Sequence, residues 1–193
     1  MDAKSLALLA VLSALIAALR PLGAGAAGIE PMWFLLIIAA YVFGPSFGFL
    51  LGVQSMLLSA FLTGGFGPWL PYQIFAAGWL GLIAGVAPKI KRLEIPLLVM
   101  VGMFASEVFG LLMDLQFWPW TLGPKTQLSY LPGAAVSENL QRFFSYHLAT
   151  SMAWNVPRAI FTALLIMLVG PGVLNALKRA SRKASFVSEI KFI

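Results

Sequence analysis

Arg158 constrains this chain more than any other residue. It lies about half-way along the apolar run Phe143 to Val173, a stretch long enough to cross a bilayer. A cation at the centre of a spanning helix costs about 2.5 to 3.5 kcal/mol on insertion scales. Such a residue faces a protein interior or a water-filled cavity, and it normally has a partner. Upstream, at steps of three, four and four, come Asn155, Ser151 and His147. On a helix these four share one face. One wall of the segment is therefore polar at membrane depth, which points to a buried site for something polar.

Composition agrees with a bilayer. Of 193 residues, 60% are hydrophobic and 10% are charged, against about 25% charged in a soluble domain. With about 20 apolar residues per spanning helix, the chain has room for five to seven spans and no soluble domain. We expect one all-α integral membrane domain over residues 1–193. The formal charge of +6 is concentrated in two clusters, Lys89–Lys91–Arg92 and Lys178–Arg179–Arg182–Lys183. The positive-inside rule puts both in the cytoplasm, and that accounts for the basic balance without nucleic acid. The chain has no cysteine, which excludes a disulfide framework, a thiol nucleophile and a cysteine metal site.

Apolar periodicity and Gly/Pro punctuation predict six spans: Lys4–Leu19, Met32–Phe43, Phe47–Leu62, Tyr72–Val86, Ile95–Phe117 and Leu140–Leu174. The second is short for a span. The first, followed by Gly25-Ala26-Ala27, has some look of a cleaved signal. Arg20 directly after the run, and small residues continuing without polar dilution, favour a span. An even count puts both termini and both basic clusters on the cytoplasmic side. The outer loops are then Arg20–Pro31, Thr63–Pro71 and Trp118–Asn139. Trp33, Trp69, Trp118 and Trp120 lie at or beside them, either as an interfacial belt or as an aromatic-lined mouth.

Several residues are candidates for binding. Glu107 and Asp114 stand seven apart on one face of the fifth span. Glu107 is near mid-span by count, opposite Arg158 on the antiparallel sixth span, so a Glu107–Arg158 pair is expected, as a staple or as a site wall. Pro157 removes a backbone bond to Ala153, and a kink there would line a cavity. His147, the single histidine, reads as a hydrogen-bonding group near the outer end of that span and not as a metal ligand. Tyr72, Gln73 and Trp79 bring flat rings and a polar tip to the fourth span, suited to a heteroaromatic or macrocyclic ligand. With Glu107 occupying Arg158, direct contact with ligand falls to Ser151, Asn155, Trp69, Tyr72 and Trp79. Ala10, Ala14 and Ala18 form a small-residue step on the first span, for internal packing or for a partner helix. No Walker A loop, Gly-x-Ser-x-Gly or His-Glu-x-x-His motif is present. Any ATP-driven step therefore belongs to other chains, and an intramembrane enzyme is disfavoured.

Three segments carry a family resemblance. They are Glu30-Pro-Met-Trp33, Thr63-Gly-Gly-Phe-Gly-Pro-Trp-Leu-Pro-Tyr-Gln73 and Thr150-Ser-Met-Ala-Trp-Asn-Val-Pro-Arg-Ala159. Together with size, six spans and the Ala10-x-x-x-Ala14 step, they make the chain resemble a substrate-binding S component of an energy-coupling factor (ECF) transporter. Within that superfamily it is most similar to the group assigned to cobalamin and related cofactors. The resemblance implies a high-affinity vitamin site open to the outside, with Glu30 and Trp33 beside it. It implies docking of the first helix on a T component driven by two ATP-binding cassette subunits, in a prokaryotic plasma membrane. No cofactor is implied. The Gly23–Gly28 stretch is expected to act as a gate. The alternatives are an S component for another vitamin or precursor, or a stand-alone secondary transporter with Glu107, Asp114 and Arg158 as a proton relay.

Overall fold

A computed structural model of the chain describes residues 3–23, 28–121 and 126–188, with side chains for all of these except 121 and 183–188. Among them there is no strand. Eight helices follow in order: α1 (Ala3–Leu19), α2 (Met32–Phe43), α3 (Pro45–Thr63), α4 (Leu70–Val86), α5 (Glu94–Thr121), α6 (Val136–Thr150), α7 (Met152–Leu168) and α8 (Gly170–Ser188), with a 3-10 turn at Arg20–Gly23 after α1.

α2 is the axis of the bundle. Met32, Trp33 and Leu35 to Tyr41 are all buried, and α1, α3, α4, α5, α7 and α8 all touch it. A helix apolar on every side belongs inside others, which is how a 12-residue helix is accommodated in this bundle. Helices α1, α3 and α5 are long and apolar enough to cross a membrane, and α6 with α7 form a bent pair that passes the same test. α2 and α4 are shorter apolar helices of 12 and 17 residues. The expectation of an all-helical membrane protein is met.

Hydrogen bonds define two ends of the bundle. The α1–α2 connection, the α3–α4 connection and the last turns of α5 are linked at one, called here the loop end. The α4–α5 connection and α8 meet at the other, the basic end.

α3 and α4 are joined by backbone-to-backbone contact. A Cβ on Gly48 would lie 2.3 Å from the Gly81 carbonyl oxygen, and one on Gly81 would lie 2.0 Å from the Gly48 carbonyl oxygen. Gly52 and Gly85 repeat the pattern against Ala77 and Pro45. Each helix thus carries a Gly-x-x-x-Gly step at the crossing, the small-residue solution to packing where no hydrophobic effect drives helices together.

Two expectations about segment ends are corrected. The predicted fifth span ended at Phe117, but α5 continues to Thr121 through Pro119. Trp118 holds these last turns in place. It is buried, its indole N–H donates to the Leu128 carbonyl at 2.7 Å, and its ring meets Tyr130 and Phe143 edge-on. The predicted single sixth span is three helices. α6 and α7 are bent by 64° at Ser151, and a second break separates α7 from α8 at Val169. The bend comes six residues before Pro157, not at it. It falls at the Thr150–Ser151 pair, where Thr150 Oγ1 donates back to the Tyr146 carbonyl and Ser151 Oγ donates sideways to Asp114. Such side-chain bonds compete with the helix ladder. The predicted gate at Gly23–Gly28 lies in large part outside the described residues.

The glycine crossing yields a signed prediction. Gly81→Ala at an isolated helix position would stabilise by about 1 kcal/mol. Here the added methyl collides with backbone, so the variant should lose about 1 to 3 kcal/mol, read as a lower Tm in detergent micelles. An unchanged or higher Tm would contradict the packing.

Candidate functional site

The polar groups of the bundle gather near the loop end in three connected sets. The first surrounds Arg158. Its Nε donates to Glu30 Oε2 at 2.7 Å, and one terminal nitrogen donates to Asn155 Oδ1 at 2.9 Å and to the Ser106 carbonyl at 3.5 Å. Glu30 Oε2 also accepts the indole N–H of Trp33. The guanidinium carbon sits 5.1 Å from the Phe109 ring centroid, and Trp33 packs on the same ring at 4.6 Å. The cation is thus matched by one carboxylate, two oxygen acceptors and an aromatic face. That is the set of compensations a buried charge needs.

The expected Glu107–Arg158 pair does not form. Arg158 is level with Glu107, since it reaches the carbonyl of the adjacent Ser106, but Glu107 turns to His147 and Glu30 takes the guanidinium instead. Glu30, just before α2, is at the same level. Asn155 is 1% exposed and is wedged against Gly110, where a Cβ would lie 2.1 Å from its side-chain nitrogen. Among the described residues its Nδ2 has no hydrogen-bond partner. Asn155 and Arg158 are buried and held by each other and by α5.

The second set uses the two carboxylates of α5. His147 lies between them, with Nδ1 2.6 Å from Asp114 Oδ2 and Nε2 2.6 Å from Glu107 Oε1. Glu107 and Asp114 are about 10 Å apart along the helix, and one ring bridges them. Asp114 Oδ2 accepts the Ser151 hydroxyl as well. A neutral imidazole has one donor and one acceptor nitrogen. The arrangement is therefore complete only with an extra proton, on the ring or on one carboxyl. His147 and Asp114 are enclosed, whereas 43% of the Glu107 side chain is exposed. Glu107 is the exposed member of this set.

The third set ties the α1–α2 connection to the bundle. Arg20 donates to Ser59 Oγ at 2.7 Å and to Gln73 Oε1 at 3.0 Å. The other end of the connection is held by Glu30 on Arg158. A Cβ on Gly28 would lie 2.3 Å from the Trp154 carbonyl oxygen, so only glycine permits this approach to α7. The connection is thus anchored on α3 and α4 at one side and on α7 at the other. The α3–α4 connection is held separately, by Gln116 of α5 donating to the Pro68 carbonyl at 3.1 Å.

The aromatic candidates divide. Trp33 and Trp118 are buried hydrogen-bonding groups and do not line a mouth. Trp69, Tyr72 and Trp120 are exposed, with the Trp69 ring folded over Gly67. Trp79 is also exposed, and its ring contact is Phe49 of α3, outside all three polar sets. Ala10, Ala14 and Ala18 are all exposed, while Leu9, Leu12, Ser13, Ile16 and Ala17 of the same helix are buried. The alanine face therefore points out of the bundle.

Arg20, Ser59, Ser106, Phe109 and Gln116 escaped the sequence reading. Arg20 had a visible signal, a cation immediately after an apolar run. The others became visible only once the helices were placed against each other.

Removing one partner of the Arg158 pair should be worse than removing both. Glu30→Leu leaves a buried cation unpaired and should cost about 3 to 5 kcal/mol. Adding Arg158→Met should recover a large part of that loss. Thermal unfolding of the two single variants and the double variant in detergent checks this, and strictly additive losses would contradict the pairing.

Residues 4–170 match the model of the family described as ECF transporter, substrate-specific component. No curated protein and no solved structure matches the chain. The family match covers most of the chain and agrees with its all-helical membrane architecture. The chain belongs to the substrate-specific components of ECF transporters.

Proposed function

We propose that the chain captures cobalamin or a related cofactor or precursor at the loop end of the bundle, as the binding subunit of an ATP-driven importer. Membership of the family implies a small-molecule substrate, a T component and ATPase partners. The cobalamin-type ligand is our reading of the site. The observation that carries it is the polar network under the α1–α2 connection. Arg158, Asn155 and His147 are held by partners inside the bundle, and Glu107 alone keeps an accessible carboxylate. Charge-assisted acceptors of this kind suit the amide N–H groups on the rim of a corrinoid macrocycle. Trp69 and Tyr72 offer flat faces at the same end, and Gln73, Asp114 and Ser151 complete the polar lining. Glu30, Trp33, Asn155 and Arg158 form its floor, and Trp79 is the outlying member.

In this reading all six apolar segments cross a prokaryotic plasma membrane, with α2 and α4 counted as short spans and α6–α7 as one bent span. Both termini and both basic clusters are then cytoplasmic. Arg20 and Glu30 anchor a connection that covers the ligand. The exposed Ala10–Ala14–Ala18 face docks on the T component, since small residues allow close helix approach. Two ATP-binding cassette subunits then drive release on the inside.

One observation favours a second reading. The His147 bridge requires a shared proton between two carboxylates, as in a proton-coupled secondary transporter. Uptake by the chain alone in vesicles under a proton gradient would support that reading, and dependence on T and ATPase subunits would remove it.

Tryptophan fluorescence titration tests the ligand. Cobalamin or one of its precursors should quench at micromolar concentrations or below. Glu107→Gln should weaken the response about tenfold or more in a protein that still unfolds cooperatively. A flat signal with every corrinoid removes the ligand assignment. Ala14→Trp tests the docking face separately, by abolishing uptake in the assembled transporter while leaving the quench intact. Loss of both would place that face in internal packing.

A further inference from the structure

At the basic end, the close of α2, the α4–α5 connection and α8 border an open hollow of about 570 Å³. Four cations line it, Lys89, Lys91, Lys178 and Arg182, together with Glu94 and Tyr41. Lys178 Nζ is 2.6 Å from each Glu94 oxygen, and the Tyr41 hydroxyl donates to Glu94 Oε1 at 3.2 Å. The single carboxylate is thus already matched by Lys178. Lys89 lies beside the Tyr41 ring, 6.0 Å from its centroid. Among the described residues no ion pair involves Lys89, Lys91 or Arg182. Four cations less one carboxylate leave three positive charges converging on one concave site.

Nothing in substrate capture at the loop end uses this cluster. Positive-inside topology explains the presence of lysine and arginine near this face, but not their convergence on a cavity. Ammonium and guanidinium groups around one hollow are the donors that phosphate oxygens require. The same connection also exposes Ile90 and Leu93, interleaved with Lys89 and Lys91. Apolar side chains next to a cationic hollow suit a molecule with a phosphate head and hydrocarbon tails. Basic pockets between membrane helices bind anionic headgroups for this reason.

We infer that this cavity binds the phosphate of an anionic phospholipid and thereby clamps α8 to α2 and the α4–α5 connection. A free phosphate compound shares the head chemistry but would gain nothing from Ile90 and Leu93.

The test uses the full-length chain in a neutral detergent, with Tm followed during titration. The additives are short-chain phosphatidylglycerol, short-chain phosphatidylcholine and inorganic phosphate. Phosphatidylglycerol should raise Tm by several degrees in a saturable way, and the other two should not. Each neutralised cation should weaken the apparent affinity about fivefold. The K89Q/K91Q/R182Q variant should then show roughly a hundredfold loss, and Arg142→Gln, at the opposite end, none. If the triple variant does not fold, Lys91→Gln alone should still show the single step. A flat response to phosphatidylglycerol, or a shift that survives all three substitutions, would overturn the inference. An equal shift with inorganic phosphate would overturn the lipid assignment in favour of a soluble phosphate ligand.

Discussion

A bilayer offers no water to a buried charge, so each one must find its partner inside the protein. Arg158 meets that demand through Glu30, Asn155, the Ser106 carbonyl and the Phe109 ring. Much of the loop-end architecture follows from this single requirement. Glu30 is fixed at the start of α2, on α7. Trp33 is drawn into the core beside Phe109 to share the same carboxylate. Gly28 is brought against the α7 backbone. Truncating one partner of such a pair is far more costly than replacing both, and that asymmetry is what makes the network a rigid floor.

A rigid floor leaves few groups free. In the neighbouring set, His147 saturates both nitrogens on Asp114 and Glu107 while Ser151 fills a further acceptor position on Asp114. Only Glu107 remains substantially open. In the proposed site, rigidity and ligand access would fall to different residues. Arg158 and His147 hold geometry, and Glu107 faces outward from α5. The close glycine crossing of α3 and α4 joins the two helices whose Ser59 and Gln73 receive Arg20. Arg20 is therefore anchored on two helices whose backbones are in close contact.

The sequence disclosed the demand but not how it is met. Arg158 within an apolar run was legible, as were the polar stripe to His147, the i,i+7 carboxylates of α5 and the alanine step on α1. The partner was not. Depth counted from assumed segment ends put Arg158 level with Glu107. Arg158 does reach the carbonyl of neighbouring Ser106, but Glu107 turns to His147; the bend at Ser151 and the extension of α5 to Thr121 were likewise not foreseen. Each deviation depends on tertiary contacts, Ser151 on Asp114 and Trp118 on Leu128, which no local propensity encodes. Glu30 lies 128 positions from Arg158, so only the fold brings them together. The Gly48/Gly52 and Gly81/Gly85 steps were present in the sequence, but a Gly-x-x-x-Gly pair does not reveal which helices it joins. The alanine step read either way until the helix orientation turned it outward.

Membership in the ECF substrate-specific family gives the chain a small-molecule substrate, and in the proposed function that substrate sits over the polar network at the loop end. Native mass spectrometry of the chain purified from cells supplied with corrinoids tests that account most directly. The account predicts a one-to-one adduct of corrinoid mass on the wild-type chain, lost on Glu107→Ala while the folded charge-state distribution persists. A wild-type chain that retains no corrinoid, or an adduct indifferent to Glu107, would contradict it.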